Sequence, residues 1–352
     1  MGAENNIKLT QYSHGAGCGC KIAPQVLAEI LKTKPSHLPL ANLLVGNDSN
    51  DDAAVYKISE QEALIATTDF FTPIVDDPFT FGKVAAANAI SDVYAMGGTP
   101  ILALAILGWP IEKLSVQAAQ AVLEGARKIC QEAGIPLAGG HSIDSQEPIF
   151  GLSVNGRVLL SHLKKNETAG RGDLILLTKP LGVGIFSTAS KRGKLEPEDL
   201  LLLEKQLTTL NSVGEQLGAI QEVTAMTDVT GFGLAGHLIE MAEAAGLSAT
   251  LTYQKIPKLK GLEKYLDQNI LPDATFRNWN AVSKKLEFKD PAYSLEGFKV
   301  LPDPQTNGGL LIAVQPEGLS KVQKLLKEAG YKDAIEPIGV FVEQSEKVIE
   351  IC

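Results

Sequence analysis

The chain has few of the residues that build extracellular scaffolds, membrane spans or signal peptides. Four of its 352 residues are cysteine, too few for a disulfide framework. No apolar run approaches the ~18–20 residues that cross a bilayer. Residues 1–11 are polar and lack the apolar core of a signal peptide. These absences favour a reduced, cytoplasmic protein with no membrane partner.

Positive charge is also scarce. The chain carries 32 Lys and Arg against 41 Asp and Glu, a net charge of −9, and its basic residues gather only in pairs such as Lys164 and Lys165. Electrostatic binding to nucleic acid or to an anionic membrane requires a local excess of basic residues. We therefore expect neither as a partner. The acidic residues are either spread as solubilising charge or gathered where they hold cations.

The residues that are present describe an ordinary packed protein. Hydrophobic residues make up 45% and charged residues 21% of the chain. Apolar runs predict strands, and helical spacing predicts helices between them. The predicted strands are 63–69, 100–107, 150–160, 173–178, 249–253 and 310–314, and the predicted helices are 81–96, 111–133, 198–220, 233–245 and 317–329.

This order of elements predicts two domains in a mixed α/β, or α+β, fold. At roughly 150 residues per domain, the length also suggests about two. The polar, glycine-containing segment 161–172 separates the two halves. We predict an N-terminal segment over 1–48 that contains a flexible glycine-rich loop and a short helix after Pro24, a first domain over 49–160 and a second domain over 172–352.

Four aspartates lie where charge is unusual. Asp52 precedes an apolar run, Asp69 follows one, Asp92 lies in a small-residue helix, and Asp228 precedes a glycine turn. A carboxylate in apolar surroundings requires a cation or a strong donor. Several carboxylates together suit Mg²⁺, which prefers hard oxygen ligands and leaves positions for phosphate. Each aspartate alone also fits a capping or turn role, and the neighbouring Asp51 stays open between the two interpretations.

Glycine turns are a second signal. They are predicted at 139–142, 182–184, 231–233 and 307–309. Backbone N–H groups at such turns bind phosphate, and His141 in the first turn is a candidate ligand contact. No Walker A sequence is present, and no G-x-G-x-x-G follows a strand. An ordinary P-loop ATPase or NAD dehydrogenase is therefore disfavoured.

The third signal is a glycine-rich loop over 15–21 that contains Cys18, Cys20 and Lys21. A cation near a thiol favours the thiolate, so Cys18 is a candidate nucleophile. The C-x-C spacing has no second pair, which makes structural zinc a weaker alternative. An inert tail is the other alternative.

Together these segments resemble the selenophosphate synthetase family, the selenide, water dikinases. The resemblance runs from about Lys8 to Val340, and its most specific segment is 10–22. The segments 88–98 and 226–233 also fit the wider superfamily of aminoimidazole ribonucleotide synthetase, thiamine-monophosphate kinase and a hydrogenase maturation enzyme. The resemblance implies a two-domain aminoimidazole ribonucleotide synthetase-like fold whose N-terminal domains pair in a β-barrel dimer. It also implies that selenide, ATP and water yield selenophosphate, orthophosphate and AMP.

The resemblance further implies residue roles. Cys18 matches the catalytic thiol, and Lys21 matches a lysine that reaches the ATP phosphates. The implied magnesium ligands are Asp52, Asp92 and Asp228. The implied nucleotide contacts are Ser49, Asn50, Asp51, Asp69, Asp92, Gly140, His141 and Ser142. Asn307 stands where the family is expected to have serine, K⁺ is a further expected cofactor, and a selenium-delivery protein is a further expected partner.

Two other functions stay open at this point. Another ATP-dependent kinase or ligase of the superfamily would keep the aspartates but would not need Cys18 or Lys21. A non-enzymatic thiol or metal-binding protein would use Cys18 and Cys20 without consuming nucleotide.

Overall fold

The computed structural model describes residues 7–13, 15–20, 26, 29–30, 41–46, 52–331 and 335–352. Four of the candidate site residues lie outside these ranges: Lys21, Ser49, Asn50 and Asp51. For Cys18 and Cys20 the backbone is described and the side chain is not.

The first half of the chain forms a six-stranded sheet. Its strands are β1 (Leu43–Val45), β2 (Ala54–Lys57), β3 (Glu62–Phe71), β4 (Thr99–Trp109), β5 (Leu137–Asp144) and β6 (Ile149–Leu159). Their order across the sheet is β1-β2-β3-β6-β4-β5. The β4–β5 pair is parallel and the other pairs are antiparallel. The predicted strands 63–69, 100–107 and 150–160 are therefore confirmed, each with slightly different ends.

Two helices, α1 (Pro78–Ala95) and α2 (Val116–Glu132), pack on one face of this sheet. Asp77 caps α1 by accepting from the backbone N–H of Thr80 at 2.7 Å. Ser115 caps α2 in the same way, which is why this helix begins at residue 116 rather than at the predicted 111. The two helices approach closely where Gly82 faces Val122. A β-carbon on Gly82 would overlap the Val122 carbonyl oxygen, so this approach leaves no room for a side chain at residue 82.

The second half forms a seven-stranded sheet. Its strands are β7 (Leu174–Leu177), β8 (Val223–Asp228), β9 (Leu247–Leu251), β10 (Leu286–Phe288), β11 (Leu310–Val314), β12 (Gly339–Glu343) and β13 (Ile349–Ile351). Their order is β10-β13-β9-β12-β7-β11-β8, so β8 is an edge strand. The described helices of this half are α3 (Val183–Lys191), α4 (Pro197–Thr208), α5 (Val213–Gly218), α6 (Gly233–Ala244), α7 (Glu263–Leu266), α8 (Asp273–Val282), α9 (Ser294–Val300) and α10 (Leu319–Glu328).

Two sequence predictions need correction. The single helix predicted over 198–220 is two helices, because the first ends at Thr208 and the second begins at Val213. The glycine turn predicted at 139–142 is part of strand β5. Gly139 and Gly140 have φ values of 140° and 152°, a conformation that other residues rarely adopt. The strand therefore continues through them without turning.

The two halves meet along α1, α5 and β8. Ala95 at the end of α1 belongs to the same buried cluster as Leu217 of α5 and Met226 of β8. A β-carbon on Gly218 would lie 2.8 Å from the α-carbon of Gly97, so the backbones of the two halves touch there. This junction fixes how the first sheet faces the edge of the second.

The other face of the first sheet is exposed and apolar. Phe70 of β3 is 49% exposed, and Ile143 of the edge strand β5 is 59% exposed. Tyr56, Ile101, Leu104 and Leu159 are also exposed large hydrophobic residues. Exposed apolar areas of this kind occur at surfaces that contact other proteins, membranes or ligands. Within the described residues, no helix is long and apolar enough to cross a membrane.

Candidate active site

Strand β3 and helix α1 run in opposite directions and bring polar side chains together beyond an aromatic contact. At one end, the rings of Phe71 and Phe81 are 6.1 Å apart. Further along, Asn88 donates to the Asp69 carboxylate. Next, the Thr67 hydroxyl donates to Asp92 Oδ2 at 2.5 Å. Thr67, Asp69 and Phe71 are two residues apart on the strand, so they share the face that α1 covers.

The amide of Asn88 is held at both of its polar atoms. Its Nδ2 donates to Asp69 Oδ2, while its Oδ1 accepts from the backbone N–H of Asn307 at 2.7 Å. Asn88 is fully buried. The second half of the chain therefore orients the side chain that contacts Asp69 in the first half.

Asp228 ends the edge strand β8 and is buried, with 1% of its surface exposed. The hydroxyl of Ser91, on α1, donates to Asp228 Oδ2 at 2.5 Å. Ser91 in turn accepts from Asn211 Nδ2 at 2.8 Å. Since Ser91 precedes Asp92 on the same helix, α1 holds one carboxylate from each half of the chain near the junction.

Asp52 joins the same network from the other side of β8. Thr227, one residue before Asp228, donates through its hydroxyl to Asp52 Oδ1 at 2.7 Å. Asp52, Asp69, Asp92 and Asp228 are thus connected through α1 and β8. We call these four residues and their hydroxyl and amide donors the carboxylate network.

The carboxylate network fits a magnesium ion that is shared with a ligand better than a closed protein cage. Within the described ranges, no three His, Cys, Asp or Glu side chains lie close enough to hold one ion together. Each aspartate instead accepts from a hydroxyl or amide. Mg²⁺ is typically held by one or two carboxylates together with water and phosphate oxygens. The hard carboxylate oxygens of the network supply that kind of donor set.

A buried cation lies behind the carboxylate network. Lys179 Nζ donates to the carbonyl oxygens of Thr209 and Asn307 at 2.7 and 2.9 Å. Burial lowers the pKa of Lys179 to about 7, and the negative charge of Asp228 opposes that shift. The charge of Asp228 therefore favours the protonated, positive form of Lys179.

The cysteine-containing loop is seated against the second half of the chain. The glycine content of this segment predicts a flexible loop, whereas the structure shows a 3₁₀ turn at Gly17–Cys20. Lys191 Nζ donates to the carbonyl oxygen of Gly15 at 3.3 Å, and Arg277 Nη2 donates to that of Gly19 at 2.9 Å. A cavity of about 500 Å³ lies beside this turn. Lys191, Arg192 and Arg277 line the cavity.

The loop and the carboxylate network meet at two neighbouring residues. Gly17 has a φ of 51°, and a β-carbon there would lie 2.5 Å from Thr306 Oγ1. Asn307, which follows Thr306 in the chain, donates its backbone N–H to Asn88 Oδ1. The two regions therefore share one wall.

Gly140, His141 and Ser142 lie apart from the aspartates in this chain. Strand register places Asp69 opposite Leu152, Leu152 opposite Ala105, and Ala105 opposite Gly140. Three strand spacings put Gly140 about 14 Å from Asp69. His141 and Ser142 are exposed on the edge strand β5.

Four residues in or next to the carboxylate network are not among the site residues predicted from the sequence. Ser91 and Thr227 stand beside candidate aspartates, so a search of neighbouring hydroxyls would have found them. Asn211 and Lys179 carry no such signal, because their contacts join residues far apart in the chain.

The raised pKa of Cys130, about 11 because of its burial, agrees with a packed thiol rather than a reactive one.

Both halves of the chain match known domains. Residues 50–158 match the N-terminal domain and residues 170–352 the C-terminal domain of the AIR synthase related proteins. Thiamine-monophosphate kinase from Stenotrophomonas maltophilia has a TM-score of 0.65 and 18% identity, over 94% of this chain and 96% of that chain. Hydrogenase maturation protein HypE in complex with ATP has a TM-score of 0.65 and 18% identity, over 92% and 93%. The fold is that of the AIR synthase related proteins, as the sequence predicted.

Curated relatives narrow this class. The selenide, water dikinase of Pseudomonas putida is 51% identical over 345 residues, 98% of each chain. That of Aeromonas hydrophila is 52% identical over 335 residues, 95% of each chain. That of Shewanella putrefaciens is 54% identical over 321 residues, 91% of this chain and 90% of the relative. The chain belongs to the selenide, water dikinase family, and the resemblance found in its sequence is confirmed.

Proposed function

We propose that this protein is an ATP-dependent phosphotransferase that makes selenophosphate from selenide, ATP and water and releases AMP and orthophosphate. The observation that carries the proposal is the identity of 51–54% to selenide, water dikinases over nearly the whole chain. The carboxylate network at the junction of the two halves supports it, because phosphoryl transfer depends mainly on positioning and charge neutralisation.

The carboxylate network is the proposed phosphate end of the site. Asp52, Asp92 and Asp228 are the proposed ligands of Mg²⁺, and Asp69 is a proposed contact to the metal and ATP. When bound, Mg²⁺ neutralises charge on the phosphate oxygens. The hydroxyls of Ser91 and Thr227 hold two of these carboxylates in fixed orientations. Such preorganisation lowers the cost of reaching the transition state.

The loop over 15–21 is the proposed chalcogen end of the site. Cys18 is the proposed nucleophile or selenium carrier, and Lys21 the proposed contact to the terminal phosphate. In the first step, a lone pair of hydroselenide attacks the γ-phosphorus, a selenium–phosphorus bond forms, and ADP leaves. In the second step, water attacks ADP and releases orthophosphate and AMP. A loop seated over the site excludes water during the first step.

The remaining proposals concern the nucleotide, the partners and the location. Ser49, Asn50, Asp51, Gly140, His141 and Ser142 are proposed nucleotide contacts. The exposed apolar face of the first sheet supports a homodimer in which two such sheets close a β-barrel. K⁺ as a second cofactor, a selenium-delivery protein as a partner and a cytoplasmic location complete the proposal.

One incubation tests the function. The protein is mixed with ATP, Mg²⁺ and selenide under reducing, oxygen-free conditions, and the products are followed by phosphorus NMR. AMP together with a selenium-coupled phosphorus signal is expected. ADP as the only nucleotide product would instead indicate another kinase of the superfamily. No turnover would indicate a thiol or metal-binding protein.

A further inference from the structure

The turn at residues 306–309 is connected to two of the aspartates, and we call it the hub turn. The first connection runs through Asn88. The backbone N–H of Asn307 donates to Asn88 Oδ1 at 2.7 Å, which directs Asn88 Nδ2 toward Asp69. Because an amide has its donor and acceptor on opposite sides, fixing Oδ1 also fixes where Nδ2 points.

The second connection runs through Asn211. Its Nδ2 donates to the carbonyl oxygen of Gly308 and to Ser91 Oγ, each at 2.8 Å. A serine hydroxyl has one proton. Since Ser91 accepts from Asn211, that proton is available for Asp228 Oδ2 at 2.5 Å. The hub turn thus sets the direction of a hydrogen bond to Asp228.

The hub turn is itself held tightly. Asn307 has a φ of 47°, a left-handed conformation that asparagine adopts more readily than most residues. Its side-chain Nδ2 donates to the carbonyl oxygens of Leu207 and Thr209, each at 2.8 Å. On the other side, a β-carbon on Gly309 would overlap the backbone N of Lys179. Little space is left for the turn to adjust.

Lys179 completes this arrangement. Its Nζ joins the carbonyl oxygen of Asn307 to that of Thr209, the residue that also accepts from the Asn307 side chain. A buried ammonium group costs free energy, and here it is satisfied by backbone carbonyls in the field of Asp228. Lys179 and Asn307 therefore both connect the hub turn to the segment 207–209.

We propose that Asn307 and Lys179 are positioning residues that act through Asn88, Asn211 and Ser91 to orient the carboxylates of Asp69 and Asp228 toward bound magnesium and nucleotide. Asn307 is also the position at which this chain differs from the serine expected in the family. The inference rests on the proposed nucleotide site and makes no use of the selenide chemistry.

The chain offers a matched control. Asn269 is the other described non-glycine residue with a positive φ, 53°. It also has a lysine partner, since Lys299 Nζ donates to Asn269 Oδ1 at 2.9 Å and to the carbonyl oxygen of Leu266 at 3.0 Å. Asn269 is exposed, and neither residue contacts an aspartate of the carboxylate network. The test variants are Asn307→Gly and Lys179→Met, and the controls are Asn269→Gly and Lys299→Met.

The experiment is a calorimetric titration of each purified full-length variant with a non-hydrolysable ATP analogue at fixed Mg²⁺, next to its thermal unfolding without ligand. All four substitutions are expected to lower Tm. The two test variants alone are expected to weaken analogue binding, by about tenfold for one misdirected hydrogen bond to a charged group. Affinities within twofold of the wild type in both test variants would overturn the proposal.

Two further results keep the test decisive. If Lys179→Met does not fold, Asn307→Gly decides, because glycine keeps the left-handed backbone and the N–H donor. If Asn307→Gly does not fold either, Asn307→Asp replaces it with the same expected loss of affinity, because aspartate also adopts the left-handed backbone but lacks the Nδ2 donor. A wild-type protein that binds the analogue but makes no selenophosphate would contradict the proposed reaction and leave this inference standing. A wild-type protein that does not bind the analogue would overturn it.

Discussion

The carboxylate network and the seated loop meet at the wall formed by Thr306 and Asn307, but they are held in different ways. In the network Asp92 and Asp228 are buried, Asp52 and Asp69 are half-buried, and side chains from both halves of the chain fix these aspartates. The loop is held mainly through backbone carbonyls that accept from the exposed side chains of Lys191 and Arg277. Hydrogen bonds to exposed cations contribute little stability.

From this difference we infer that the carboxylate network and the loop have separate roles. A rigid phosphate site stabilises transferring charge without reorganising. A loop attached by weak contacts can open for substrate and close against water. We therefore expect substitutions in the network to affect nucleotide chemistry as a whole, and substitutions at the loop to affect selenide use alone.

The largest expected effect is that of Asp228→Asn. The neutral amide cannot supply the charge that a magnesium ligand needs, so ATP consumption should fall by about a thousandfold or more. Consumption is measured as AMP formed per minute at saturating ATP. The exposed substitution Asp267→Asn is the control. Turnover near the wild-type rate in Asp228→Asn would contradict the metal assignment.

Cys18→Ser should separate the two regions. We expect selenophosphate formation to fall by about a hundredfold or more, because a serine hydroxyl is a far weaker nucleophile and selenium ligand than a thiolate. Binding of the ATP analogue should stay within twofold of the wild type. Selenium-dependent product formation and calorimetric affinity are measured on the same preparation. Unchanged product formation would remove Cys18 from the mechanism.

Lys191→Ala and Arg277→Ala should loosen the loop. Each removes a cation that holds a loop carbonyl, so we expect the KM for selenide to rise by about three- to tenfold at unchanged analogue affinity. Lys194→Ala, another exposed lysine near the end of α3, is the control. If nucleotide affinity falls as much as selenide affinity, the two regions are not independent.

Asp303, which lies three residues before the wall residue Thr306, should make the stability of the folded protein depend on pH. Burial raises the pKa of this carboxyl from 3.8 to about 8, against hydrogen bonds from Gln305 and Gly184 that lower it. The folded protein therefore retains a proton that the unfolded chain loses, and stability should fall as pH rises from about 4 to 8. Urea unfolding at pH 5, 7 and 8.5 measures this loss. Asp303→Asn should flatten the profile, and an unchanged slope in this variant would place the titrating group elsewhere.

The sequence predicted the elements better than the contacts between them. The predicted strand 63–69 lies within the observed Glu62–Phe71, and both this strand and the unusual positions of the four aspartates follow from local apolar patterns. The contact of Asn211 with Ser91 joins residues 120 positions apart, and no local pattern predicts it. The extended Gly139 and Gly140 were misread as a turn because glycine permits both conformations.

The most direct test of the proposed reaction is its stoichiometry, measured by phosphorus NMR on wild-type protein with ATP, Mg²⁺ and selenide. We predict one selenium-coupled phosphorus signal and one orthophosphate for each AMP formed, with no accumulation of free ADP. AMP and orthophosphate without a selenium-coupled signal, or ADP as the final nucleotide, would contradict the account.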